Sequence, residues 1–195
     1  MKIFCIGMPK TGTTSCEKAL INLGYKVSKG KTEWLDHLWM GERLPEGGWD
    51  CLSNVAEWHF KLLHKLYPKA KFILTTRPLD DWLKSVEIAI SREQTILRGN
   101  KNIKHKLYYI DMYRRFTFEK EHFKDLFEDH YNKVIKYFED KPDSLLEIDI
   151  IDNNNMKKLC TFLGKEHDGS QWPHQHKTLK DGEGVDGGYS RSWYH

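Results

Sequence analysis

The sequence lacks the features that mark several classes of protein. Its four cysteines form no C-x-x-C pair and no Cys/His spacing of the kind that binds zinc, which favours reduced thiols. No stretch approaches the roughly 18 apolar residues of a membrane span. The opening segment MKIFCIGM is too short for the apolar region of a signal peptide. We therefore expect a soluble, cytoplasmic protein with no membrane span.

Neither sign of charge is in large excess. The formal net charge is +3 over 195 residues, which is too small to indicate a nucleic-acid partner. The chain has no internal repeat and no linker long enough to divide it. Its hydrophobic content of 39% is enough for one substantial core. We therefore predict a single domain over residues 1–195 that does not bind nucleic acid.

Short apolar runs alternate with segments of helical periodicity. The run KIFCIG ends at a glycine and leads into a loop and a helix, and AKFILTT is continuously apolar, as is typical of a strand buried on both faces. DCLSN and SLLEIDI are the other strand-like segments, and VAEWHFKLLHKLYP and residues 119–139 are further helical ones. This alternation predicts an α/β, three-layer, P-loop-like fold with a central, mostly parallel sheet flanked by helices.

The loop CIGMPKTGTTS has the glycine spacing of a phosphate loop but not its lysine. The usual pattern, G-x-x-x-x-G-K-[ST], places lysine directly after the second glycine, whereas here Thr13 follows Gly12 and the lysine is Lys10. The backbone N–H groups of residues 10–14 and the positive end of the next helix favour an anion. A threonine-capped helix start is the alternative, but the position after a buried strand favours an anion site.

A second segment, TTRPLDDWLKS, places Arg77 directly after a strand and Ser85 about two helical turns further on. A guanidinium and a hydroxyl could together hold one phosphate. From the residues alone, an ion pair from Arg77 to Asp80 or Asp81 is an equally good interpretation.

Together, PKTGTTS and FILTTRPLDDWLKS resemble the two nucleotide-binding motifs of the sulfotransferases that use 3'-phosphoadenosine-5'-phosphosulfate (PAPS). The likeness continues through HYNKVIKYFEDKPDSLLEIDI, KKLCTFLG and WPHQH. It implies an enzyme that moves a sulfuryl group from PAPS to a hydroxyl or amine acceptor and releases adenosine 3',5'-bisphosphate, with no metal ion. A transferring sulfuryl group carries less charge than a γ-phosphoryl group, so a metal-bridged loop is less necessary.

The resemblance also assigns residues to the donor. It implies that Lys10 contacts the 5'-phosphosulfate, that Thr13 and Thr14 hold its oxygens, and that Arg77 and Ser85 bind the 3'-phosphate. The full predicted nucleotide-binding set is Pro9, Lys10, Thr11, Gly12, Thr13, Thr14, Arg77 and Ser85. Lys10 is also a predicted catalytic residue, because its charge can stabilise the departing oxygen.

The acceptor side departs from the family pattern. Family members carry a His or Asp, followed two residues later by Pro, at the end of the strand in DCLSNVAEWHF, where this chain has Asn54 and Ala56. The nearest titratable replacements are Glu57 and His59. Asn54 and Glu57 also match a capping box, and His59 could be an ordinary helix residue. We expect Glu57 to take the acceptor proton while Asn54 orients the hydroxyl, or the acceptor to be acidic enough to need little help.

The remaining segments carry weaker hypotheses. Residues 91–118 are a candidate lid that selects a small-molecule, glycan or lipid acceptor, and the Gly-rich tail 165–195 is either a cover for the nucleotide or a solvated tail. His130 lies on the apolar face of a long helix and is predicted to be a core histidine. Two other functions stay open: a P-loop kinase or NTPase with Asp149 on magnesium, and a nucleotide-binding relative that has lost catalysis.

Overall fold

The computed structural model describes residues 1–29, 34–99 and 103–173. The elements in these ranges are β1 (Ile3–Cys5), α1 (Thr13–Asn22), β2 (Val27–Lys29), α2 (Trp34–Trp39), β3 (Cys51–Ser53), α3 (Phe60–Leu66), β4 (Lys71–Thr76), α4 (Leu79–Gly99), α5 (Ile103–Tyr113), α6 (Lys120–Phe138), β5 (Leu145–Asp149) and α7 (Asn155–Phe162). The strands form one sheet in the order β2-β3-β1-β4-β5, and each recorded pairing is parallel. The predicted α/β fold with a parallel central sheet is confirmed.

Both faces of the sheet are covered, because successive strand residues point to opposite sides. Ile3 and Cys5 of β1 belong to a core cluster with α1 and α7. Phe4, from the same strand, packs with Phe60 of α3 and Phe138 of α6. Helices on both faces of a continuously apolar parallel sheet give the three predicted layers.

A third cluster extends the core beyond the carboxyl edge of the sheet. It joins Met8, which follows β1, to Trp82 of α4, Met112 of α5 and Phe123 of α6. The candidate lid, residues 91–118, thus includes the end of α4 and all of α5. Its role in selecting an acceptor stays a prediction, but α5 shares this cluster with Met8, the residue that leads into the phosphate loop.

The helix predicted to begin at Val55 begins instead at Phe60. Asn54 and Val55 have φ angles of 57° and 71°, in the left-handed region that a β-branched residue rarely adopts. This backbone cannot continue into a right-handed helix, so residues 55–59 form a loop. The capping box of Asn54 and Glu57 was therefore wrong, because no helix starts there to be capped.

Part of the predicted tail lies outside the described residues. Residues 174–195 belong to that part, so the suggestion that the tail covers the nucleotide stays a prediction. Within the described part, Trp172 is buried in the cluster that contains α1 and α7. All four cysteines are free and buried.

The fold predicts a steric cost at Gly7. A Cβ there would lie 2.0 Å from Thr75 Oγ1 and 2.6 Å from the Thr75 carbonyl oxygen, so Gly7→Ala forces β1 and β4 apart. We expect a loss of about 3 kcal/mol in the free energy of unfolding, measured by urea denaturation. The control is Gly47→Ala, whose Cβ would meet only Trp49, at 3.3 Å. Equal losses in the two variants would contradict the close contact.

Candidate active site

The carboxyl ends of neighbouring parallel strands bring the predicted site residues to one edge of the sheet. Lys10 follows β1, Asn54 follows β3, and Arg77 follows β4. Strand β1 lies between the other two and pairs with both. Ligands of open α/β sheets bind outside this edge. The topology thus places the phosphate loop between the predicted acceptor segment and the predicted 3'-phosphate segment.

The phosphate loop turns three consecutive carbonyl groups toward protein donors. The carbonyl oxygens of Met8, Pro9 and Lys10 accept hydrogen bonds from Thr11 Oγ1 (2.6 Å), Trp82 Nε1 (2.8 Å) and Arg77 Nη1 (3.1 Å), respectively. Carbonyl oxygens would repel an anion, and their engagement elsewhere removes that repulsion from the site. The loop is therefore shaped to present N–H groups rather than carbonyls.

The start of α1 is open to a ligand. Gly12 occupies the N-cap with φ of 94°, and no side chain caps the helix. Within the described ranges, the N–H groups of Gly12, Thr13 and Thr14 have no backbone acceptor. A Cβ on Gly12 would lie 2.3 Å from Ile150 Cγ2, so glycine is needed both for the conformation and for the space. Unpaired donors at a helix N-terminus are suited to an anion.

Lys10 and Thr11 contribute in different ways. Lys10 has φ of 74°, an unfavourable backbone conformation of the kind that concentrates at functional sites. The Thr11 hydroxyl is fully buried and lies 2.6 Å from Thr75 Oγ1 in β4, besides bonding Met8. That hydroxyl ties the loop to the sheet, and the Thr11 N–H also donates to the Met8 carbonyl oxygen, at 3.2 Å. Nucleotide binding by Thr11 stays a prediction.

Arg77 is held beside the loop with a buried, unused donor. Its Nη1 bonds the Lys10 carbonyl, while Nε is buried and finds no acceptor among the described residues. No ion pair joins Arg77 to Asp80 or Asp81 in that part of the chain, so the alternative interpretation of this motif is not realised. Burial lowers the pKa of Arg77, with Asp81 acting in the opposite direction. Ser85 lies on α4 and is nearly buried.

The predicted acceptor segment contains a completely buried carboxyl group. Glu57 has an exposed fraction of 0%, and neither carboxylate oxygen has a hydrogen-bond partner within the described ranges. Burial raises the pKa of Glu57 to about 8, the nearby Asp111 adds to this effect, and the backbone amides of Ala56 and Glu57 oppose it. The group is therefore protonated at neutral pH. Its role as proton acceptor stays a prediction.

Comparison with known proteins decides the family. The family model of the sulfotransferase domain matches residues 2–44 and 42–180. The chain belongs to the sulfotransferase family. A search of curated proteins returned no match. The predicted resemblance to sulfotransferases is thus confirmed, and the chain is a transferase that carries out sulfuryl transfer.

In this sulfotransferase, His130 holds the loop after β3 by a hydrogen bond. Its Nε2 donates to the Glu57 carbonyl oxygen at 3.1 Å, and its ring packs edge-on against Trp58. Burial lowers the pKa of His130 to about 4, although the bond to the carbonyl opposes this shift. His130 is neutral and satisfied, and the prediction of a core histidine is confirmed.

Sequence reasoning missed Asp111. This residue of α5 brings Oδ2 within 3.3 Å of His59 Nε2, and its Oδ1 accepts from Trp39 Nε1 at 3.1 Å. Burial alone would raise the pKa of Asp111, but the bonds from His59 and Trp39 outweigh it and lower the pKa. No local sequence signal connects residues 59 and 111, because their contact depends on how α5 packs.

Two further observations concern the described ranges as a whole. They contain no group of three or more His, Cys, Asp or Glu side chains that could hold a metal ion. Asp149, the residue a kinase would place on magnesium, accepts instead from the Ile151 N–H at 3.2 Å. No helix there is both long and apolar enough to cross a membrane.

The burial of Glu57 predicts a pH dependence of stability. Its pKa is higher folded than unfolded, so the folded state binds the extra proton and wild-type stability falls as the pH rises from about 4.5 to about 8. Glu57→Gln lacks this penalty. The difference in free energy of unfolding, variant minus wild type, should therefore rise by up to about 1.4 kcal/mol per pH unit in that window.

Urea denaturation at pH 5.0, 6.5 and 7.5 measures this gap between variant and wild type. The matched control is Glu87→Gln on the exposed face of α4, for which the gap should not change with pH. A constant gap for Glu57→Gln would show that the carboxyl group is solvated.

Proposed function

We propose that this sulfotransferase uses PAPS as donor and transfers the sulfuryl group to a hydroxyl or amine of a small-molecule, glycan or lipid acceptor, releasing adenosine 3',5'-bisphosphate. The observation that carries the donor assignment is the buried, unpaired Nε of Arg77 beside the phosphate loop. A buried donor without a partner costs free energy unless a ligand satisfies it. We propose that the 3'-phosphate is that ligand.

The residues at the loop fit the rest of such a nucleotide. The N–H groups of Gly12, Thr13 and Thr14 face no backbone acceptor in the described part of the chain, and the uncapped end of α1 is positive. Arg77 bonds the Lys10 carbonyl, so a 3'-phosphate on Arg77 and a 5'-phosphosulfate on the loop would be held by connected parts of the protein. Pro9 contributes to the shape of the loop, because its carbonyl oxygen accepts a hydrogen bond from Trp82.

Each residue has a proposed task. When bound, PAPS supplies an activated sulfuryl group. Thr13 and Thr14 orient its oxygens, and Ser85 adds a hydroxyl to the phosphate held by Arg77. Lys10 neutralises the charge that develops on the oxygen linking sulfur to the nucleotide, and this makes it a catalytic residue that works without a metal ion.

The acceptor binds at the loop after β3. Asn54 is partly exposed at this edge, and its amide can orient a hydroxyl although it cannot take the proton at neutral pH. The proton goes to a titratable group of the same loop, for which the sequence offers Glu57 and His59. The buried, reduced cysteines favour a cytoplasmic setting for the reaction.

Selection of the 3'-phosphate is testable by binding. Wild type should bind adenosine 3',5'-bisphosphate far more tightly than adenosine 5'-monophosphate in isothermal titration calorimetry. In Arg77→Ala this preference should shrink by about 3 kcal/mol, because a desolvated charge pair is lost. The control is Arg43→Ala, which removes the same charge from a residue that precedes β4 and lies over the Tyr67 ring. This variant should keep the wild-type preference for adenosine 3',5'-bisphosphate. Equal affinity of wild type for the two nucleotides would end the PAPS assignment.

Lys10 should matter more for turnover than for binding. Its charge is most useful when the leaving oxygen becomes negative, so Lys10→Ala should lower kcat by at least about 10²-fold with a much smaller loss of affinity for adenosine 3',5'-bisphosphate. Steady-state kinetics beside calorimetry measure the two effects, and Lys18→Ala, an exposed residue of α1, is the control. A variant that loses affinity but keeps kcat would make Lys10 a binding residue only. EDTA should leave activity intact, and a requirement for magnesium would favour a kinase.

A further inference from the structure

His59 and Asp111 form a side-chain pair at the acceptor segment. Nε2 of His59 lies 3.3 Å from Oδ2 of Asp111, and the two side chains have exposed fractions of 15% and 8%. His59 stands at the N-cap of α3, at the end of the loop that begins with Asn54. The pair therefore joins the predicted acceptor loop to α5.

Asp111 is fixed in place and negatively charged. Its other oxygen, Oδ1, accepts from Trp39 Nε1 at 3.1 Å, and the Arg114 guanidinium lies 3.8 Å away. Because the pKa of Asp111 is lowered, the carboxylate can only accept hydrogen bonds. Nε2 of a neutral His59 must then carry the proton, and Nδ1 keeps its lone pair. Within the described ranges, Nδ1 of His59 has no hydrogen-bond partner.

Packing connects the neighbours of this pair to the phosphate loop. Trp58, the residue before His59, donates from Nε1 to the Met112 carbonyl oxygen at 2.9 Å, next to Asp111. Trp58 also packs against the cluster that contains Met8 and Trp82, and Trp82 holds the Pro9 carbonyl of the phosphate loop. One cluster thus joins Met8 of the phosphate loop, Trp58 of the loop before α3, and α5.

We propose that Nδ1 of His59 takes the proton of the acceptor and that Asp111 is the positioning residue that keeps His59 in this tautomer. The inference rests on the proposed function. As the acceptor O–H proton passes to Nδ1, the oxygen lone pair forms a bond to sulfur. The bond from sulfur to the phosphate oxygen of the donor breaks, and its electron pair leaves with the nucleotide. The imidazolium of His59 then releases the proton to water.

The neighbouring Glu57 is a poorer proton acceptor. Its carboxyl group has no exposed surface and is protonated at neutral pH, whereas a base must be deprotonated and must reach the substrate. The His59 side chain is 15% exposed, and its Nδ1 has no hydrogen-bond partner within the described ranges. The charged and titratable groups around His59 are Asp111 and Arg114 of α5 and Glu57 of its own loop, and among these Asp111 makes the direct contact.

The first test needs no nucleotide. ¹⁵N NMR of the histidine rings at pH 7.5, with His59 assigned through the signal lost in His59→Gln, should show the Nε2–H tautomer in wild type. Asp111→Asn should mix the tautomers, since an amide can donate as well as accept. Trp39→Phe removes one hydrogen bond to Asp111 and should weaken, but not abolish, the preference for the Nε2–H tautomer. A wild-type His59 with the Nδ1–H tautomer would overturn the proposal.

The second test is kinetic and uses ³⁵S-labelled PAPS with phenol or 4-nitrophenol, and with water as the acceptor in donor hydrolysis. His59→Gln should lower kcat with phenol by about 10²- to 10⁴-fold and remove the acidic limb of the pH profile. The loss should be smaller with the more acidic 4-nitrophenol, which needs less help in losing its proton. Asp111→Asn should lower kcat less than His59→Gln while leaving KM for PAPS unchanged.

Controls separate this inference from the proposed function. Affinity for adenosine 3',5'-bisphosphate should be unchanged in His59→Gln, so a wild type that does not bind that nucleotide refutes the donor assignment rather than the base. His64→Gln changes a histidine of the same helix, bonded to the Tyr137 hydroxyl, and should keep full activity. If Glu57→Gln removes the acidic limb and His59→Gln keeps it, or if His59→Gln slows neither the phenol reaction nor hydrolysis, His59 is not the base.

Discussion

The candidate site depends on the hydrogen bonds that the carbonyl groups of the phosphate loop accept from protein donors. Their donors are Thr11 of the loop itself, Trp82 of α4 and Arg77 at the end of β4. Without them a loop with a non-glycine residue at φ of 74° would relax, because that backbone is costly. One arginine therefore serves both the shape of the loop and, in the proposed function, the 3'-phosphate. The contact of Gly7 with Thr75 brings β1 and β4 close enough for these bonds to form.

The sequence supported the fold because parallel strands buried on both faces leave a strong local pattern. The run in β4 is continuously apolar, and the glycines after β1 and α1 stand where the chain must turn. The start of α3 was misplaced for an equally physical reason. The segment from Val55 onward has helical periodicity, yet Val55 itself adopts a left-handed conformation that its intrinsic preference opposes. Tertiary packing of Val55 and Ala56 in the core outweighs that preference.

The sequence alone grouped the residues that we propose for the donor, but it did not reveal the pair of His59 and Asp111. Lys10, Gly12 and Arg77 belong to short motifs in which spacing along the chain determines spacing in the fold. The partner of His59 is 52 positions away and reaches it through the packing of α5. No pattern within either segment encodes that contact. The burial of Glu57 could not be predicted from the sequence either, because it depends on the backbone conformation of Asn54 and Val55 rather than on residue type.

The two left-handed residues after β3 also explain why neighbouring groups of one loop differ so much. In a helix begun at Val55, Glu57 would lie in the first turn, where backbone N–H groups stabilise a carboxylate. The observed turn instead buries the carboxyl group, which has no hydrogen-bond partner among the described residues, and burial outweighs the amides of Ala56 and Glu57, so the protonated form is favoured. Because of the same turn, α3 begins only at Phe60, and His59 is its N-cap residue. The His59 side chain is partly exposed and contacts Asp111. A single irregularity of the backbone thus buries the carboxyl group of Glu57 in the core and leaves His59 partly exposed beside Asp111.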